Sequence, residues 1–274
     1  MMASSNAGRS EDAFSGEMSI KSERDLQAMR PACVVARKVL DEVSDFIQPG
    51  VTTREIDQFA AARIKQYGGK SAFLGYKKYP CNLCISVNEQ VVHGLANNRR
   101  VEFGDIISLD VGVIYNGFIG DTARTVAVGG CSVEAQRLMD VSEEALYEGI
   151  GQARAGNRVA DISGAIQRYV EGYGYNVVRE FVGHGVGRKM HEEPQVPNFV
   201  ENGKPSPRLQ LGMTIAIEPM VNAGGPEVKL LDDGWTVVTK DGSLSAHFEH
   251  TVLITDGDPE ILTCPGTVSN LKAR

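Results

Sequence analysis

No apolar run in the chain approaches the roughly 18 residues that a membrane-crossing helix needs. Excess positive charge is also missing. Lys and Arg number 28 against 35 Asp and Glu, and the net charge of −7 argues against nucleic acid or an anionic membrane surface as a partner. Cysteine is scarce: five thiols, an odd number, in a chain of 274 residues that is long enough to bury a full core without staples. They read as cytosolic thiols and not as a disulfide framework. The opening MMASSNAGRSEDAFSG has no apolar stretch of the kind a secretion signal carries, so the expected location is cytoplasmic. What is present, 42% hydrophobic and 23% charged residues, excludes a disordered or fibrous chain.

Residues 1–20 read as a disordered arm, 21–264 as a single folded domain and 265–274 as a flexible tail. The body opens with a helix whose apolar stripe is Leu26, Met29, Cys33, Ala36, Leu40, Val43 and Ile47, spaced by threes and fours. Pro31 lies inside the stripe and predicts a kink or a later start. Pro49-Gly50 ends this helix. Thr52 or Thr53 caps a second one that runs to Tyr67 and stops at Gly68-Gly69. Residues 83–128 read as strands, a third helix follows Ser132, a fourth covers about 159–172, and 177–263 is mostly strand and loop. The chain also repeats itself. Residues 49–69 align without gaps on 155–175, EQVVHG (89–94) on EFVGHG (180–185), and FGDIISLD (103–110) on LGMTIAIE (211–218). Three matches in the same order predict two similar halves, helices outside and sheet inside. His93 is then equivalent to His184, and Asp110 to Glu218.

The segment IISLDVGVIYNGFIGDTARTV (106–126) carries the chemistry. Asn116-Gly117 is a strong two-residue hairpin signal. Pairing Tyr115 with Phe118 puts Gly112 opposite Asp121 and Asp110 opposite Ala123, all on one face. Ile114 and Ile119 share that face, so it is not a wet one. Two carboxylates on a buried face would repel or neutralise unless a cation sat between them. The second half supplies more such groups: Glu218 inside the apolar TIAIEPMV, Glu249 on the face of SAHFEHTVLIT opposite its apolar side, together with His247 and Thr251, and His184 between the glycines of GHGVG. Oxygen-rich ligation with one imidazole suits Mn, Fe, Co or Zn. The charge of Asp110, Asp121, Glu218 and Glu249 together balances two divalent ions.

The set VHG, Asp-x10-Asp, GHGVGR followed by HEEP, IEP and FEHT resembles the methionine aminopeptidases, of the pita-bread metallopeptidase fold, over roughly residues 18–262. The short span from His191 to Glu218 resembles their type I form. The resemblance implies an α+β pita-bread fold: two pseudo-two-fold-related halves, a central curved, mostly antiparallel sheet and helices outside. It implies an exopeptidase that removes the N-terminal methionine from peptides and nascent chains through two divalent ions that activate water, with a small second residue preferred. Asp110, Asp121, His184, Glu218 and Glu249 are the implied metal ligands, with Asp121 and Glu249 bridging. Glu218 is also the implied proton carrier, His191 the oxyanion donor and His93 a contact to the scissile nitrogen. Phe73, Tyr76, Tyr79, Cys84, Met190 and Trp235 are the implied side-chain pocket. The expected protein is a cytoplasmic monomer, with the ribosome as an admissible site of action for its arm.

Other signals carry less. Cys81-x-x-Cys84 has no second pair and reads as ordinary thiols. His191-Glu192-Glu193 begins like a zincin motif, but Gln195 stands where the second histidine is needed. Relatives specific for Xaa-Pro bonds share such a core but carry a large N-terminal domain, for which the segment before the first helix is too short.

Overall fold

The computed structural model describes residues 18–201 and 203–264. Residues 1–17 of the expected arm 1–20 and the tail 265–274 lie outside the described residues; of the rest of the arm, Ile20 forms an antiparallel bridge with Met213. Helix α1 (Glu23–Phe46) starts at Ser22, which forms a reciprocal capping box with Asp25. Pro31 sits inside α1 without ending it, and the helix starts at Glu23, ahead of the proline, so the expected late start is not seen. The reason is burial. Leu26, Met29, Cys33, Leu40 and Val43 are all buried, and each large apolar side chain contributes about 1.5–3 kcal/mol, against roughly 3 kcal/mol lost at an interior proline. Gly50, at φ 94°, turns the chain into α2 (Thr53–Gln66), whose cap is Thr52 paired with Glu55.

Strand β1 (Lys70–Ser71), a 3-10 turn at Tyr76–Lys78, β2 (Cys84–Val87) and β3 (Gln90–Val92) lead to the hairpin β4 (Ile106–Tyr115) and β5 (Phe118–Ala127). Helices α3 (Val133–Gly151) and α4 (Val159–Gly172) open the second half. Short strands follow: β6 (Asn176–Val177), β7 (Gly183–Gly185), β8 (Glu192–Val196), β9 (Thr214–Ile217), β10 (Met220–Asn222), β11 (Val228–Leu230), β12 (Val237–Thr239), β13 (Ser245–His247), β14 (Glu249–Leu253) and β15 (Glu260–Ile261).

Nine strands make one antiparallel sheet in the order β1-β4-β5-β14-β9-β7-β8, with β2 beside β4 and β15 beside β14. First-half strands meet second-half strands at the β5–β14 seam, where Glu249 pairs with Ala123 and His250 with Thr122. The internal repeat is visible in the backbone. Helices α2 and α4 both have 14 residues, Gly50 and Gly156 sit at φ 94° and 92°, and the bridge Thr52–Arg100 has its counterpart in Arg158–Arg208. Leu109, Val111 and Val113 point from β4 to the helices, in a core with α1 and α2. A second core packs α3 and α4 against β9 and β14. With the helices on that face, alternation turns Asp110 and Gly112 to the other face, where the site lies.

Candidate metal centre

The register of the sheet places the acids. Asp110 pairs with Ala123 and Gly112 with Asp121, as the Asn-Gly turn predicts. Across the seam Ala123 pairs with Glu249, so Asp110, Ala123 and Glu249 form one row. In the next row the Asp121 carbonyl accepts from Thr251 Oγ1 at 2.8 Å, Thr251 pairs with Ala216, and Ala216 pairs with His184. Glu218 follows β9 directly, two residues past Ala216 and therefore on the same face. Small residues (Gly112, Ala123, Ala216) alternate with the ligand-type side chains and leave the space between them open.

Asp121, His184 and Glu249 come together most closely, with one donor atom of each within 4.8 Å of the others. Their exposures are 2%, 3% and 2%, so solvent does not compensate their charge. Glu218 Oε1 lies 3.4 Å from His184 Nε2, and Asp121 Oδ2 lies 3.7 Å from the same atom. Asp110 stands off this tight group but lines the same cavity. Among the described residues, the buried Asp110 Oδ1, Asp121 Oδ1 and Glu249 Oε1 have no hydrogen-bond partner. Buried carboxylate oxygens aimed at one another without donors fit a divalent cation. The imidazole fits too. His184 Nδ1 lies 2.9 Å from the Gly185 carbonyl, so its ring hydrogen is used there and Nε2 presents a lone pair to the acids.

Burial pushes Asp110 up to about 7, and Asp121, Glu218 and Glu249 well above the usual carboxylate range, with neighbouring carboxylates adding to the effect for the last three. Burial also lowers His93 and His184 to about 4 and His247 to about 3, so these rings are neutral. Metal-free, the cluster therefore holds protons in place of the missing counter-charge.

Above the acids is a cavity of about 250 Å³. Phe73, Tyr76, Tyr79, Cys84, Met190, Trp235, His93 and His191 all line it, together with Asp110, Asp121, His184, Glu218 and Glu249. The ligand, catalytic and pocket residues that the resemblance implies thus all line one cavity, while His247 and Thr251 lie outside its lining. Gly112 matters here because a Cβ on it would lie 2.6 Å from the Phe73 ring and 3.0 Å from the Ala72 Cβ. His93 reaches the cavity from a left-handed backbone at φ 59°, outside any strand, whereas its sequence equivalent His184 is inside β7. Its ring meets Phe181 edge-on at 5.4 Å. Tyr76 Oη lies 2.7 Å from His191 Nδ1, a contact that sequence reasoning missed. Also missed were Lys77, Glu180, Phe181 and Met220 on the wall; Glu180 and Phe181 fall in the repeated EFVGHG and Met220 in the apolar TIAIEPMV, but neither pattern says which of its side chains face the cavity. The loop that carries Met190 and His191 is anchored from the far end of the chain. Lys21, 7% exposed, pairs with Glu192 at 2.6 Å, and Glu192 also accepts from the Arg188 and Lys189 amides at 3.0 and 3.2 Å.

Comparison with known proteins agrees with this geometry. Residues 27–256 match Metallopeptidase family M24. A methionine aminopeptidase of Clostridium perfringens is 50% identical over 244 residues, covering 89% of this chain and 98% of that protein. The crystal structure of methionine aminopeptidase from Rickettsia prowazekii superposes with a TM-score of 0.88 at 40% identity, over 90% of this chain and all of that one. The prolidase from Pyrococcus furiosus shares the fold at a TM-score of 0.74 and 24% identity, over 89% of this chain and 65% of its own. With its pita-bread architecture and the acid-lined face at its seam, the chain belongs to the M24 metallopeptidases.

Proposed function

We propose that the protein, through residues 21–264 as one catalytic unit, removes the N-terminal methionine from peptides and nascent chains. The observation that carries the reading is the buried cage of Asp121, His184 and Glu249 with partnerless carboxylate oxygens, at the floor of a mostly apolar cavity. Asp110, Asp121, His184, Glu218 and Glu249 would hold divalent metal. Two ions match the charge of the carboxylates, and Mn, Fe, Co and Zn all suit the donors. When bound, such ions supply Lewis acidity and lower the pKa of water.

The chain's own groups do the rest. Glu218 accepts a proton from the attacking water and returns it to the leaving amine. A hydroxyl proton from Tyr76 to Nδ1 fixes His191 with its ring hydrogen on Nε2, where it donates to the oxyanion as charge develops. His93, held neutral and edge-on to Phe181, contacts the scissile nitrogen. Phe73, Tyr76, Tyr79, Cys84, Met190 and Trp235 enclose the methionine side chain, whose thioether suits aromatic walls. Tyr79 is fixed for this by its hydroxyl, which lies 3.1 and 2.9 Å from the Leu83 and Gly94 carbonyls, and by Trp235 edge-on at 5.0 Å.

The modest cavity supports a preference for a small second residue. The net charge of −7 supports a cytoplasmic protein without nucleic-acid or membrane partners, a monomer by default, acting on chains as they leave the ribosome. No described helix is long and apolar enough to cross a membrane. The test is methionine release from Met-Ala, Leu-Ala and Xaa-Pro peptides before and after chelation. Release from Met-Ala alone, abolished by chelator and restored by Mn or Co, is expected. Undiminished release after exhaustive chelation would overturn the reading.

A further inference from the structure

One buried imidazole beside the cage has no part in the chemistry above. His247, 2% exposed, ends β13 and does not line the cavity. Its backbone is clamped from both sides. Its N–H donates to Thr125 Oγ1 at 2.8 Å, and the Thr125 oxygen lies 3.0 Å from its carbonyl and 2.8 Å from Ser108 Oγ. It pairs with Met220, two residues after Glu218, which brings its ring against that acid. The two carboxylate oxygens of Glu218 are thereby divided. Oε1 lies 3.4 Å from His184 Nε2, and Oε2 lies 3.7 Å from His247 Nε2. Among the described residues that buried Nε2 has no hydrogen-bond partner.

A buried ring nitrogen without a partner is costly unless a group closes on it in another state of the molecule. We propose that His247 is a positioning residue, donating its Nε2 hydrogen to Glu218 Oε2 and so holding Oε1 toward His184 and the metal site. This rests on the reading of Glu218 as a ligand and proton carrier. The donor set favours a histidine in this place. A buried Lys or Arg would neutralise the acid and drain its basicity, whereas a neutral N–H orients the carboxylate and leaves its charge for the cation. The contact is just beyond hydrogen-bond length, and a small rotation of the Glu218 carboxylate closes it.

The experiment compares wild type, His247→Leu and His247→Gln by Mn titration calorimetry and by steady-state kinetics on a Met-Ala peptide. Leucine is expected to weaken Mn binding by about 10–100-fold and to lower kcat more than it raises KM. Glutamine, whose amide nitrogen reaches Oε2, is expected to restore Mn affinity to within about threefold of wild type, a rescue that core packing alone would not give. If wild type neither binds Mn nor releases methionine, the proposed function fails. If wild type does both and the leucine variant keeps wild-type Mn affinity, only the role of His247 is overturned. Should the leucine variant not fold by circular dichroism, His247→Asn, whose amide stops short of Oε2, takes its place with the same two outcomes.

Discussion

Chelating the metal should make the protein lose stability as pH rises above neutrality, the reverse of what an ordinary set of surface acids would do. Asp110 is raised to about 7 and Asp121, Glu218 and Glu249 are raised well above their usual range, chiefly by burial. In the unfolded chain these groups ionise near pH 4. The metal-free fold therefore binds more protons than the unfolded state, and its stability falls with pH until each group passes its folded pKa. Every carboxyl still protonated in the fold costs about 1.4 kcal/mol per pH unit, so two such groups give a slope of about 3 kcal/mol per unit. For Asp110 alone the gap between about 7 and the ordinary 3.8 corresponds to on the order of 4 kcal/mol, fully present below pH 4 and gone above 7.

The buried histidines act with the opposite sign. His93, His184 and His247 are held neutral, so they oppose folding as pH falls below about 6.5, where the unfolded chain takes up protons. Above about pH 8 the buried thiols of Cys33 and Cys84, which burial raises, add a slope of the same sign as the acids, so the window from about pH 6.5 to 8 isolates the acids. Urea unfolding in chelator across that window, repeated with saturating Mn, measures both slopes. Metal displaces the protons, so its apparent affinity should rise about tenfold per pH unit for each proton released, and calorimetry in buffers of different ionisation enthalpy counts them. A metal-free stability that is flat or rises with pH above 6.5, or Mn binding without proton release, would refute the account of the cage.

Three substitutions address other parts of the site. His191→Ala should lower kcat by about 10²–10³-fold with metal content unchanged by elemental analysis, because the ring serves the oxyanion; loss of metal in that variant would place His191 among the ligands. Gly112→Ala puts a Cβ 2.6 Å from the Phe73 ring. The ring must shift, and with Phe73 on the cavity wall kcat/KM for methionine peptides should fall by about tenfold or more while Mn affinity holds, since a misplacement of about 1 Å is costly in a fitted site. An unchanged kcat/KM would show that Phe73 yields away from the pocket. Lys21→Met removes the buried cation from the partly buried Glu192 carboxylate and should cost about 3 kcal/mol in urea unfolding, the low end for a broken buried pair because two amides still serve that acid; a loss under about 1 kcal/mol would mean the pair is screened as a surface pair is.

Much of the fold was legible because local chemistry decided it. Asn116-Gly117 permits one turn, that turn fixes one register, and the register alone puts Asp110, Gly112, Asp121 and Ala123 on a common face. The boundaries of α2 and α4 follow from Thr52 with Glu55, and from glycines that tolerate positive φ. The internal repeat anticipated that His93 and His184 would meet in one cavity but not that they would arrive on different backbones, because sequence similarity reports residue type and not φ. Pro31 does not delay the start of α1, because a local rule is outweighed by the burial of that helix. Tyr76 against His191, Lys21 against Glu192 and His247 against Glu218 are contacts between segments far apart in the chain, set by strand pairings that no short motif encodes.

The seam between β5 and β14 has a consequence for how such a protein could arise. Asp110 and Asp121 stand on one side of it, His184, Glu218 and Glu249 on the other. A polypeptide with a single half would enclose a cation from one flank only, and would need a second molecule of itself to complete the shell. Joining the two copies in tandem turns that encounter into an intramolecular one and frees activity from dependence on protein concentration. It also lets the copies diverge: both keep the equivalent histidine, but His184 stands in β7 among the acids while His93 reaches the cavity from a left-handed backbone.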